Sequence, residues 1–108
     1  MFNVAIKLIK SGVSKKFING PINKKFLKKN TTIKKNILIS VMWVNNETGV
    51  IQPIEDVVKL SQKYGCLVHC DAAQALGKIK VDLEKVNLDF LTLSGHKIGA
   101  PSGVGALV

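Results

Sequence analysis

The sequence predicts an α/β fold, part of a layered domain built on a mainly parallel sheet. Three observations carry this prediction. The stretch 37–44 (ILISVMWV) is a nearly continuous apolar run with β-branched residues, as a strand buried on both faces requires. Two more short apolar runs follow, 66–70 (CLVHC) and 89–93 (DFLTL). Between the first two, the pattern changes to helical spacing, and strands alternating with helical crossovers make a parallel sheet.

The elements read in order as follows. Phe2–Ile9 alternates too loosely to choose helix or strand, and Gly20-Pro21 signals a turn. Phe26–Lys35 reads as a short helix followed by a loop through Thr31-Thr32. After the 37–44 strand comes a polar loop, Asn45–Gln52, containing Gly49. Pro53 is expected at the first position of a helix, with Glu55 and Asp56 in the first turn, where the helix dipole favours acids. Ile54, Val57, Val58 and Ser61 mark its inner face, and Gly65 ends it. Asp71 stands at the C-terminal end of the second strand, and Ala72–Leu76 is a turn or short helix closed by Gly77. The third strand runs out into Ser94-Gly95-His96-Lys97. Gly99, Pro101, Gly103 and Gly105 make the next stretch a tight loop, and Val104–Val108 begins a fourth strand.

Composition divides the chain in two. Its 108 residues are 46% hydrophobic and carry a formal charge of +9, enough apolar material for one small domain. Residues 1–36 hold ten lysines and no acid, whereas residues 37–108 hold six lysines and all seven acids. We therefore take 1–36 as a Lys-rich, poorly defined N-terminal segment and 37–108 as the organised part. Basic segments meet phosphates or anionic lipid. Here the basic residues are all Lys, and base recognition usually wants the Arg fork. Asn and Ile accompany the Lys, the bias of an A/T-rich gene, so no nucleic-acid partner is expected. No apolar run reaches the 18–20 or so residues that span a membrane, and no membrane role is expected. Cys66 and Cys70 have no second pair and are not spaced Cys-x-x-Cys, so no metal site is expected. Met1–Phe17 is mildly amphipathic and free of acids, but transit peptides are typically Arg-rich. The expected compartment is the cytoplasm, with a mitochondrion or related organelle as the alternative.

Ligands of open α/β sheets sit at the carboxyl ends of strands, and the notable polar residues fall there. Lys97 follows a strand and faces a glycine-rich loop, a setting in which a partly desolvated amine can form a Schiff base. On its own this is a weak signal, since most lysines are solvated surface. A carboxylate at the position of Asp71 is costly to desolvate unless a cation meets it. It either faces such a cation or caps the Ala-Ala-Gln turn. Gln74, three residues on, shares its side and is either a donor to a ligand oxygen or an ordinary exposed amide. Asn45 and Asn46 either bond a ligand or serve the turn. His69 shares a strand face with Asp71 and reads as a packed, hydrogen-bonded histidine rather than a ligand. Ser94 and His96 can each bond a phosphate oxygen, aided by backbone N–H groups of their turn.

Three blocks, VNNETG (Val44–Gly49), HCDAAQALGK (His69–Lys78) and SGHKIGAPSGVGAL (Ser94–Leu107), resemble the conserved blocks of cysteine desulfurases, in the same order. These are pyridoxal 5'-phosphate enzymes of fold type I in the class V aminotransferase group. Asp71 precedes Lys97 by 26 residues, which suits the family. The resemblance implies that residues 37–108 are the cofactor-binding part of an incomplete fold-type-I large domain. It implies that Lys97 holds the cofactor covalently and moves protons, and that Asp71 pairs with the pyridine nitrogen. Gln74 and Asn46 would bond the ring hydroxyl, and Ser94 and His96 the phosphate. The implied parent reaction takes sulfur from L-cysteine, giving alanine and an enzyme persulfide for iron–sulfur cluster assembly or thiolation. A homodimer and a sulfur-acceptor or scaffold partner come with it.

The departures also count. Nothing here matches the family's upstream phosphate loop or ring-stacking histidine. The catalytic cysteine and the arginine that holds the substrate carboxylate would lie beyond Val108. Ser102 stands where the family usually has a basic residue. Neither Cys66 nor Cys70 sits in a mobile loop, so neither takes the nucleophile's role. The alternatives are a selenocysteine lyase or other class V aminotransferase, or a non-catalytic remnant or basic binding module.

Overall fold

A computed structural model of the chain describes residues 37–108 and, before them, only two short strands, β1 (Asn3–Val4) and β2 (Ile18–Asn19), paired antiparallel. The readings of Gly20-Pro21 as a turn and Phe26–Lys35 as a helix lie outside the described residues, as do most of those for Met1–Phe17. From residue 37 the order is β3 (Leu38–Met42), α1 (Ile54–Lys63), β4 (Leu67–Asp71), β5 (Phe90–Ser94), a 3-10 helix (Gly95–Ile98) and β6 (Gly105–Leu107). The sheet runs β3-β4-β5-β6. The first three strands are parallel and β6 is antiparallel to β5. The expected mainly parallel α/β sheet is therefore what forms.

Each strand differs from its expected span at the ends. The first stops at Met42 rather than Val44 because the chain bends at Trp43 and a hairpin-like loop begins. Val44 bridges Ile51, and Gln52 N–H donates to Trp43 O at 2.8 Å. The second and third strands each lie one residue later than read, at Leu67–Asp71 and Phe90–Ser94. Asp89 explains the third. Its carboxylate accepts Val68 N–H at 2.7 Å and its own N–H donates to Val68 O at 3.1 Å. It clamps β5 to β4 from just outside the ladder rather than extending it.

Helix α1 also starts one residue later than predicted. Pro53 is its N-cap, with ψ 71, not its first helical residue. The carbonyl of Pro53 accepts from Asp56 and Val57, so proline's missing N–H costs nothing there. The C-terminus is a Schellman arrangement. Cys66 N–H donates to Ser61 O and Gly65 N–H to Gln62 O, both at 3.0 Å. Gly65 sits at φ +66, a left-handed conformation that glycine reaches without a Cβ clash.

Alternation along the strands sorts side chains to two faces. Ile39, Val41, Val68, Cys70 and Leu91 are buried on one face. The predicted inner face of α1, Ile54, Val57, Val58 and Ser61, is buried with them in one cluster. Ser61, polar but fully buried, donates its Oγ–H to Val57 O at 2.6 Å, so the burial leaves no orphan. The link from β4 to β5 is a series of turns rather than a helix, and Ala72, Ala75 and Val86 from it complete the core.

Candidate functional site

Three turns leave the carboxyl ends of neighbouring parallel strands, and with the last residues of β4 and β5 they carry the residues proposed to hold a ligand. Asn45–Val50 follows β3, Ala72–Gly77 follows β4, and Gly95–Ile98 follows β5. Asp71, the last residue of β4, pairs in register with Met42 on one side and Thr92 on the other. Its backbone is held on both sides, with Trp43 N–H donating to Asp71 O and Ala72 N–H to Thr92 O, each at 2.9 Å.

The Asp71 side chain is half-buried on the polar face of the sheet. One oxygen, Oδ1, accepts Ala73 N–H at 3.0 Å. That is the capping role weighed from the sequence. Among the described residues Oδ2 has no hydrogen-bond partner, so the capping bond leaves the second oxygen available to a cation. Both functions can coexist in one carboxylate.

The Ser94–Lys97 turn is short and closely packed. Ser94 Oγ and His96 Nδ1 lie 2.9 Å apart, bringing two of the predicted site residues into one pair. Lys97 is exposed and makes no side-chain hydrogen bond among the described residues. Gly95 is buried, and its N–H donates to Val104 O at 2.8 Å. A Cβ there would stand 2.9 Å from that same oxygen, closer than real contacts allow. The glycine lets the turn fold back against the strand that follows, which sets where His96 and Lys97 emerge.

The two asparagines separate. Asn45 Oδ1 accepts Glu47 N–H, Thr48 N–H and the Thr48 hydroxyl, at 2.8–3.0 Å. It is the turn-forming residue. Asn46 is exposed beside it with its amide unengaged among the described residues. Gln74 is turned to its own loop, its Oε1 accepting from Lys78 Nζ at 2.6 Å. No hydrogen bond joins Asn46, Gln74 or Lys97 to Asp71 among the described residues.

His69 is packed, as expected, and its partners were missed. Ser40 Oγ lies 2.7 Å from Nδ1, and Thr92 Oγ1 lies 2.6 Å from Nε2. The signal was available: Ser40, His69 and Thr92 are the polar residues interrupting apolar strands. Pairing them required knowing the register.

Both cysteines are buried free thiols. Burial pushes Cys66 up from its ordinary value. Cys70 is pushed up to about 12, chiefly by burial and further by the neighbouring Asp71 charge, against a backbone hydrogen bond with Trp43. Neither is a ready thiolate. Among the described residues no cluster of His, Cys, Asp and Glu is arranged to hold a metal, and no helix is long and apolar enough to cross a membrane.

Comparison with known proteins adds a third line. The family model described as aminotransferase class-V matches residues 13–108. The chain is 55% identical over 89 residues to cysteine desulfurase IscS of Ehrlichia chaffeensis, covering 82% of this chain and 22% of the relative. It is 54% identical over 71 residues to the mitosomal cysteine desulfurase of Trachipleistophora hominis, covering 66% of this chain and 16% of that one. A solved NifS-like protein from Rickettsia africae superposes with a TM-score of 0.72 at 35% identity, covering 80% of this chain and 24% of that structure. The chain thus spans about a fifth of the length of the curated relatives it matches.

Proposed function

The chain belongs to the aminotransferase class-V family, and from that premise we propose that it is the cofactor-holding segment of a cysteine desulfurase. The whole enzyme would take sulfur from L-cysteine and leave alanine. The observation that carries this reading is the position of Asp71 and the Ser94–Lys97 turn at the carboxyl ends of adjacent parallel strands, where such folds bind ligands.

Enzymes of this family use pyridoxal 5'-phosphate, and the donor set fits it. Asp71 keeps one carboxylate oxygen without a partner among the described residues, Lys97 is an exposed primary amine, and Ser94 and His96 pair beside it. When bound, the cofactor supplies an electron sink for the carbon whose bond is broken. The chain's residues do the rest of the holding. Asp71 sets a negative charge against the ring nitrogen. Lys97 anchors the cofactor through its amine and carries protons. The Ser94 hydroxyl and His96 imidazole hold the phosphate, and the amides of Asn46 and Gln74 reach the ring hydroxyl. Gln74 must exchange its bond to Lys78 to do so.

Sulfur abstraction needs a thiolate, and neither Cys66 nor Cys70 supplies it, both being buried with raised values. In this reading the whole protein acts as a homodimer and passes sulfur to a scaffold or acceptor protein. Its compartment is the cytoplasm, or an organelle like the mitosome of the second relative.

The test is borohydride reduction of the chain with pyridoxal 5'-phosphate, followed by peptide mapping. Lys97 should carry most of the label among the sixteen lysines, and Lys97→Ala should remove it. Even labelling across all of them would overturn the assignment. Incubated with cofactor and cysteine, the 108-residue chain should release no more sulfide than free cofactor does. Release well above that blank that vanishes in Lys97→Ala would make it an enzyme in its own right.

A further inference from the structure

The sheet's polar face holds a second feature beside the proposed cofactor site. His69 lies one pleat before Asp71 on the same face and is bonded to both neighbouring strands, to Ser40 of β3 at 2.7 Å and to Thr92 of β5 at 2.6 Å. In register, however, His69 stands opposite Phe90, and Thr92 stands opposite Asp71. The Thr92 hydroxyl therefore points back along the sheet to the histidine instead of across to the carboxylate beside it. Register partners in a sheet lie about 5 Å apart at Cβ, which puts the Thr92 side chain next to that of Asp71. The two are not hydrogen-bonded, and Asp71 Oδ2 has no partner among the described residues.

We propose that His69 is a positioning residue that keeps the Thr92 hydroxyl engaged, so that the Asp71 carboxylate stays free for a cationic ligand group. Carboxylates bond most strongly to charged donors. A hydroxyl already on Asp71 competes for the same lone pairs and draws charge from them. In this role the Nδ1–H of His69 donates to Ser40 Oγ, which leaves Nε2 as the unprotonated nitrogen that accepts the Thr92 hydroxyl proton. The role rests on the reading of Asp71 as the partner of a pyridine nitrogen, and it adds a residue that itself touches no cofactor.

The experiment uses the 108-residue chain with pyridoxal 5'-phosphate labelled with nitrogen-15 in the ring. The ring-nitrogen resonance reports how far that nitrogen is protonated, which a purely structural role for His69 leaves unmoved. In His69→Phe the released hydroxyl turns to Asp71. The resonance shifts toward the unprotonated value, and cofactor binding weakens by about tenfold. His69→Gln, which can still bond Thr92, keeps the original signal. Adding Thr92→Val to His69→Phe removes the competing hydroxyl and restores the signal, while Thr92→Val alone changes little. If His69→Phe proves unfolded by circular dichroism, His69→Ala replaces it in the same pair of measurements. An unshifted resonance in the histidine variant, or a double variant as shifted as the single, would overturn the proposal. Asp71→Asn separates it from the site reading. If that variant leaves the resonance of the bound cofactor unchanged, or if the unsubstituted chain takes up no cofactor, the Asp71 assignment falls and the role of His69 with it.

Discussion

The two faces of the sheet solve opposite problems with the same strands. One face presents Ile39, Val41, Val68, Cys70 and Leu91 to the helix and turns that cover it, and these side chains are almost wholly removed from water. The other presents Ser40, His69, Asp71, Thr92 and Ser94, all half-buried, with Ser40, His69 and Thr92 joined across strands by side-chain hydrogen bonds. At its start, Leu67 and Phe90 remain exposed. Adjacent residues thus have contrary fates. Cys70 is sealed and held protonated, while Asp71, one residue on, offers a carboxylate oxygen at the end of the same strand. Apolar burial is concentrated on one face and the candidate site at the edge of the other. This is why a residue's type says less than the side of the pleat it occupies.

Thiol chemistry gives the sharpest test of that contrast. With Cys70 raised from 9.0 to about 12, its thiolate fraction at pH 8 falls about a thousandfold. Alkylation of the folded chain should be slower by that order than for free cysteine and should recover in denaturant. Alkylation at the free-thiol rate would show that the apolar face is open. The same shift sets a pH dependence. The unfolded chain loses the Cys70 proton near 9, whereas the folded chain keeps it to about 12. The contribution is therefore complete below pH 9 and is lost as pH rises through that window. Cys66 adds in the same direction. Chemical denaturation followed at pH 8 and 10 should show the folded state losing ground at the higher value.

The next effect is a cavity on the same face. Ile39 is fully buried in the core cluster, and Ile39→Ala should destabilise the fold by about 2–5 kcal/mol, read from denaturation midpoints. A cost below about 1 kcal/mol would mean that this face is loosely packed. Smaller again is Asp89→Ala. It leaves Val68 N–H without its 2.7 Å acceptor, a loss of about 1–3 kcal/mol. Amide exchange at Val68 should accelerate while exchange at Ile39 changes little. Equal acceleration at both would show that Asp89 supports the whole sheet rather than the junction of β4 and β5.

Much of the fold was legible because local rules and global burial agree. The inner face of α1 was read residue for residue, since helical spacing and burial demand the same positions. The end of the helix followed from Gly65, whose φ of +66 is the conformation glycine is placed to supply. Strand ends were off by one or two residues where side chains outside the ladder decide them, as Asp89 does before β5. The candidate site was legible as a set of polar residues at strand ends. Its internal division was less so, because Asn45 and Asn46 look alike in sequence and only the turn geometry shows that Asn45 closes the loop.

By itself, then, the sequence determined the α/β class, the helix and its buried face, the position of Asp71 at the end of a strand and the turn that carries Lys97. Each depends on periodicity or on a residue's own conformational preference, which act over a few neighbouring positions. Only the tertiary structure decided that β6 runs antiparallel, that Asp89 sets the junction of two strands, and that Ser40, His69 and Thr92 form one hydrogen-bonded line. Those features join residues 21 to 29 positions apart where hydrogen bonds make them. Which partners meet depends on register, and register is settled by the packing of the whole sheet.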